Sequence, residues 1–141
     1  MCGPYFNLKA AKPLPVSGYD IHIYFGKDSW QDRFLADALA QALAEAFPRD
    51  VKRVQEIGIK GPHSSPNIEV DITPESFGKV LTWLQMNHEH LSILIHPHTG
   101  DEMRDHTALA NWVGEPLPLK LEALQPAPSP KKPGAQPPSL Q

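Results

Sequence analysis

The sequence predicts an α+β fold of the ferredoxin-like type: a βαββαβ chain with a four-stranded antiparallel sheet and two helices on one face. Three observations carry this. Tyr19–Phe25 and Asn67–Ile72 alternate polar and apolar residues with the period of a strand. Ser29–Phe47 and the segment that begins at Thr73 repeat apolar residues at helical spacing. The elements follow in an order that places the strands 4-1-3-2 across the sheet.

In YDIHIYF (Tyr19–Phe25), Ile21, Ile23 and Phe25 share one face and Asp20, His22 and Tyr24 the other. The first helix has Ser29 as its N-cap, Asp32 three residues on, and Pro48 as its stop. Its apolar stripe reads Phe34, Leu35, Ala38, Leu39, Ala42, Leu43, Ala46. VQEIGIK (Val54–Lys60) is the second strand and GPHSSP a turn. NIEVDI is the third strand, with Ile68, Val70 and Ile72 on one side and Asn67, Glu69 and Asp71 on the other. Thr73 caps the second helix with Pro74 at its first position, and Phe77, Val80, Leu81 and Leu84 form its buried stripe. LSILIH (Leu91–His96) is the fourth strand, and a short helix follows around Asp105–Trp112.

A chain of 141 residues suits one domain. Residues 1–17 read as an irregular arm, 18–115 as the folded domain, and 116–141 as a Pro-rich disordered tail. The net charge of -3 suits neither nucleic acid nor an anionic membrane. No run reaches transmembrane length and no secretory leader is visible, so the expected location is cytoplasmic. Cys2 is the single cysteine, which leaves no intrachain disulfide and no cysteine-based zinc site.

The notable total is seven histidines. The sheet face away from the helices would carry His22 and Tyr24 from the first strand, Glu69 from the third and His96 from the fourth. His63, in the turn before the third strand, would stand beside them. Cross-strand partners lie roughly 5 Å apart at Cβ, close enough to share one ion. Imidazoles with a carboxylate and open positions mark non-haem Fe(II) oxygenases. A lone strand histidine commonly has a plain hydrogen-bonding role, and Glu69 could be simply solvated; it is their convergence on one face that argues for a metal. His88 and His90 close the second helix, where the helix dipole favours them without any function. Arg104 and Asp105 are a surface pair on the plain reading; on the functional one, Arg104 binds a substrate carboxylate through both guanidinium nitrogens.

YDIHIYF, GPHSSPNIEV and HPHTGDEMRDHTALANWVG together resemble the DOPA 4,5-dioxygenase family, over about Tyr19 to Gly114. The resemblance implies Fe(II)-dependent insertion of O2 into a catechol such as L-DOPA. The motif histidines of the family fall on His22, His63, His96 and His106. On that basis His22, His63 and His96 are expected to bind the metal and His106 to act as acid or base. Glu69 is either a fourth ligand or the acceptor that orients one imidazole. Arg104 would hold the carboxylate of DOPA, and Tyr24 would hydrogen-bond substrate or oxygen, or simply pack. Two departures stand out. Asn usually occupies the place of His98, so His98 is not expected to be essential. The turn usually reads Gly-Pro-His-Pro-x-Pro where this chain has GPHSSP, which bears on the substrate more than on the metal.

The alternative is a non-catalytic ferredoxin-like domain that binds a metal or a small molecule, since the fold hosts many functions. A zinc hydrolase and a structural dimer are further readings. An open sheet face and free strand edges suit pairing into a homodimer.

Overall fold

The computed structural model describes residues 16–124. Most of the expected arm, with Cys2, and the tail from residue 125 onward lie outside the described residues. The elements are β1 (Tyr19–Tyr24), α1 (Trp30–Ala46), β2 (Val51–Ile57), β3 (Asn67–Ile72), α2 (Phe77–Asn87), β4 (Ile93–Pro97), α3 (Glu102–Asp105) and β5 (Asn111–Val113). Single 3-10 turns at Pro74–Ser76 and Leu121–Ala123 complete them.

The sheet is antiparallel, in the order β2-β3-β1-β4-β5. It therefore has five strands where the sequence predicts four, and the first four keep the 4-1-3-2 order. The added strand replaces part of the helix expected over Asp105–Trp112. One helical turn ends at Asp105, and Asn111–Val113 then pairs with Ile93–Ile95 of β4. β2 begins at Val51, three residues earlier than the sequence suggests, with a register irregularity between Val51 and Arg53.

The core is one cluster between the sheet and the helices. Ile21, Ile23, Ile68, Val70, Ile93 and Ile95 meet Ala36, Leu39, Ala40 and Leu43 of α1 and Val80 and Leu84 of α2. At roughly 25 cal/mol per Å2 of apolar surface removed from water, burial of each large aliphatic side chain contributes about 1.5–3 kcal/mol. Ser29 Oγ accepts from the Asp32 amide at 3.2 Å, so α1 starts where its cap predicts. Its buried face is turned from the expected stripe: Phe34 is 72% exposed, and Ala38, Ala42 and Ala46 are also exposed. Leu35, Leu39 and Leu43 set the true face, since alanines on every side of a helix define none.

Residues 116–124, expected in the tail, pack on the domain. Ser64 Oγ donates to Pro118 O at 2.8 Å, the Lys120 amide donates to Pro62 O at 2.7 Å, and Leu124 is buried. Among the described residues no helix is long and apolar enough to cross a membrane.

Candidate metal centre

The pleat puts Asp20, His22 and Tyr24 of β1 on the face away from the helices. Register completes that face: His22 lies opposite Glu69 and Leu94, Tyr24 opposite Asn67, and Asp20 opposite Asp71 and His96. Asp20, His22, Tyr24, Glu69 and His96 are all buried. The turn before β3 brings in His63, and the end of α3 brings in His106, both buried as well. The four imidazoles form two face-contact pairs, His22 with His63 at 4.1 Å between ring centroids and His96 with His106 at 4.0 Å.

Hydrogen bonds fix which nitrogens are free. His22 Nδ1 faces Asn67 Oδ1 at 2.9 Å, and the amide of Asn67 is oriented by its donation to Ser65 O. His96 Nδ1 faces Pro97 O at 3.1 Å, and His106 Nδ1 faces Glu102 O at 2.7 Å. A carbonyl oxygen only accepts, so each Nδ1 carries its hydrogen and each Nε2 has a lone pair to offer. His22 Nε2 and His96 Nε2 then point those lone pairs at one another across 3.1 Å. Burial first, then neighbouring imidazoles, pushes His22 well below its usual range, and the same causes hold His96 at about 4. Neither ring is protonated near neutrality, so no proton fills the gap.

A metal ion fits it. Imidazole nitrogens bind divalent metals at roughly 2.0–2.1 Å, so two adjacent ligands of a six-coordinate ion stand about 3.0 Å apart. Asp20 could supply a third donor: its carboxylate, His22 and His96 hold one ligand atom each within 4.8 Å of one another. Asp20 Oδ1 accepts from His98 Nε2 at 2.7 Å, and Oδ2 lies 3.8 Å from His96 Nε2. Burial would raise the Asp20 carboxyl, but His98 and the other neighbours carry it far below the usual range, so it is anionic. The same contact raises His98. Beside them, burial and the charge of Asp20 lift Asp71 to about 7, and Asp71 Oδ1 is buried with no donor.

The sequence-derived residues are placed as follows. His22, His63, His96, Glu69 and His106 line one cavity of about 270 Å3, near the lower end for a small-molecule site. His63 differs from its neighbours: its Nδ1 meets the Tyr24 hydroxyl at 2.6 Å, a partner able to donate or accept. Burial holds His63 at about 4 and raises Tyr24. Glu69 Oε2 is taken by Gln55 at 2.8 Å and Arg53 at 3.3 Å. Arg104 lines a separate depression of about 590 Å3 with Tyr19, Phe77 and Leu109. Successive residues on α3 point about 100° apart, so Asp105 and His106 turn inward while Arg104 is exposed. The sequence reading gave no role to Asp20, though it sits two residues before His22 on the same strand face. Trp112, stacked on Tyr24 at 5.9 Å, and Leu124 were also passed over.

Four buried imidazoles beside Asp20 on one face of a five-stranded antiparallel sheet form a group able to hold a metal ion. Residues 19–123 match the Dopa 4,5-dioxygenase family, and the chain belongs to it. It is 41% identical over 117 residues to an uncharacterized 21.2 kDa protein of Botryotinia fuckeliana, covering 76% of this chain and 63% of that one. It is 32% identical over 126 residues to the DOPA 4,5-dioxygenase of Amanita muscaria, covering 86% of this chain and 55% of the other. The chain thus spans less than two thirds of either curated relative. The crystal structure of a candidate dioxygenase from Nostoc punctiforme superposes with a TM-score of 0.65 at 33% identity, over 77% of this chain and 90% of that one.

Proposed function

We propose that this protein is an extradiol dioxygenase that inserts O2 into a catechol such as L-DOPA, at ferrous iron held by His22, His96 and Asp20. The observation that supports it is the pair of imidazole lone pairs meeting at 3.1 Å with a carboxylate beside them. Two neutral histidines and one carboxylate are the donor set of non-haem ferrous oxygenases. Bound there, iron would supply open positions for both catechol hydroxyls and O2, and a path for electron density from ring to oxygen.

The protein supplies position and protons. Asn67 and Pro97 lock the two ligand rings, and His98 orients Asp20. His106, whose Nε2 is free, takes a catechol proton at that atom. His106 then gives that proton back, and His63, neutral by burial, lends an Nε2–H hydrogen bond to the substrate while its Nδ1 accepts from the Tyr24 hydroxyl. In this reading His63, expected from the sequence to bind the metal, and Glu69, expected to bind it or to orient an imidazole, serve the cavity around it. Glu69 instead holds Gln55 and Arg53 at the cavity wall.

Oxygen uptake and the visible spectrum, followed together, test the proposal. Protein loaded anaerobically with ferrous iron is offered L-DOPA and then simpler catechols. A yellow ring-opened product with one O2 consumed per catechol is expected. Iron-loaded protein that consumes no O2 with any catechol would contradict it and leave the non-catalytic binding domain. Equal O2 uptake with zinc in place of iron would contradict the ferrous assignment.

A further inference from the structure

We infer that the strap formed by residues 115–124 is the apolar wall of the substrate cavity, and that Leu124 determines which catechols enter it. The inference rests on the dioxygenase reading and goes beyond it.

A catechol has two unlike halves. Its hydroxyl edge needs polar partners, and its hydrocarbon edge needs apolar surface. The histidine cavity is polar on nearly every side. Its apolar lining comes from Pro62, Ala123 and Leu124, and two of these lie on the strap. Leu124 is only 7% exposed, so its side chain is committed to the interior. The strap is also fastened to the turn that carries His63. Lys120 donates to Pro62 O at 2.7 Å and Ser64 donates to Pro118 O at 2.8 Å, on either side of that histidine. The wall therefore keeps a fixed distance from the imidazoles, and the size of residue 124 sets the room left for a ring substituent. Leu124 stands just past the family match, which ends at residue 123.

Anaerobic calorimetry with the ferrous full-length chain tests this, because without O2 the catechol binds and is not consumed. Leu124→Ala is expected to weaken catechol and L-DOPA alike by about tenfold, at unchanged iron content. Leu124→Met keeps the apolar volume and is expected to restore parental affinity. Leu124→Phe narrows the cavity and is expected to weaken L-DOPA at least fivefold more than catechol. Parental affinity in Leu124→Ala, loss in Leu124→Met, or an equal effect of Leu124→Phe on both ligands would overturn the inference while leaving the dioxygenase reading standing. Iron-loaded parent protein that binds neither ligand would overturn both.

Discussion

His22 and His96 offer each other the same atom in the same protonation state, an arrangement that a cation between them relieves. His22→Ala and His96→Ala are therefore expected to lose ferrous iron by more than a hundredfold in affinity, measured by equilibrium dialysis under argon. Asp20→Asn is expected to cost about 10–100-fold, and Glu69→Gln to leave occupancy unchanged, because Glu69 is engaged by Gln55 and Arg53. Arg104→Ala is expected to leave KM for L-DOPA within twofold, since its side chain lines the neighbouring depression. A tenfold rise would restore Arg104 as the carboxylate anchor. At this scale the sequence carried the histidines, because strand alternation and strand order bring His22 and His96 to one face, and their convergence, not either residue alone, argues for a metal. It did not separate Asp20 from Glu69. Both are carboxylates on that face with one oxygen engaged, and what separates them is that Asp20 places an oxygen beside both His22 and His96, whereas Glu69 groups with Asp20 and Asp71.

The element least legible in the sequence is β5. In DHTALANWVG, Ala108, Leu109 and Ala110 have good helical propensity, while the outcome is a turn followed by the strand Asn111–Val113. Pairing with β4 decides it, and that partner lies some twenty residues away, outside any local window. The strand ends at Gly114, whose φ is +76°. A Cβ there would stand 2.7 Å from Leu91 O and meet the His88 ring. Gly114→Ala is expected to destabilise the protein by about 1–3 kcal/mol, read as a lower midpoint in urea at unchanged slope. An unchanged midpoint would show that β5 and its turn are not fixed as described. By contrast α1 was readable because cap, proline stop and periodicity agree, and β1, β3 and α2 from periodicity; the expected Thr73 cap is not formed, for Thr73 donates to Asp50 and a 3-10 turn at Pro74–Ser76 precedes α2 at Phe77. The face of α1 was the exception, for its alanines left the leucines as the only directional signal.

For the molecule as a whole, the buried histidines make metal-free stability depend on pH. His63 and His96 sit at about 4 when folded against 6.5 otherwise. Between these values the unfolded chain binds protons that the folded chain refuses, so stability falls as pH drops from 6.5 towards 4. His22 adds to this, while Asp71, raised to about 7, opposes it, as do Glu69 and His98, which are raised too. The three lowered histidines, more deeply buried than His98 and Asp71, set the sign. Thermal melts of metal-free protein are expected to fall steadily across that window, and a flat profile would contradict the burial of the imidazoles. Metal binding should act in the other direction: free metal at a hundred times Kd adds about 2.7 kcal/mol, seen as a rise of several degrees in Tm that a chelator reverses. The most direct test of a metal centre on this sheet face is an anomalous difference map at the iron edge, from crystals soaked anaerobically in ferrous iron. One peak is expected, about 2.1 Å from both His22 Nε2 and His96 Nε2 and on the side of Asp20. A peak held by His63 and His106 instead, or none within reach of His22 and His96 in an iron-replete crystal, would contradict it.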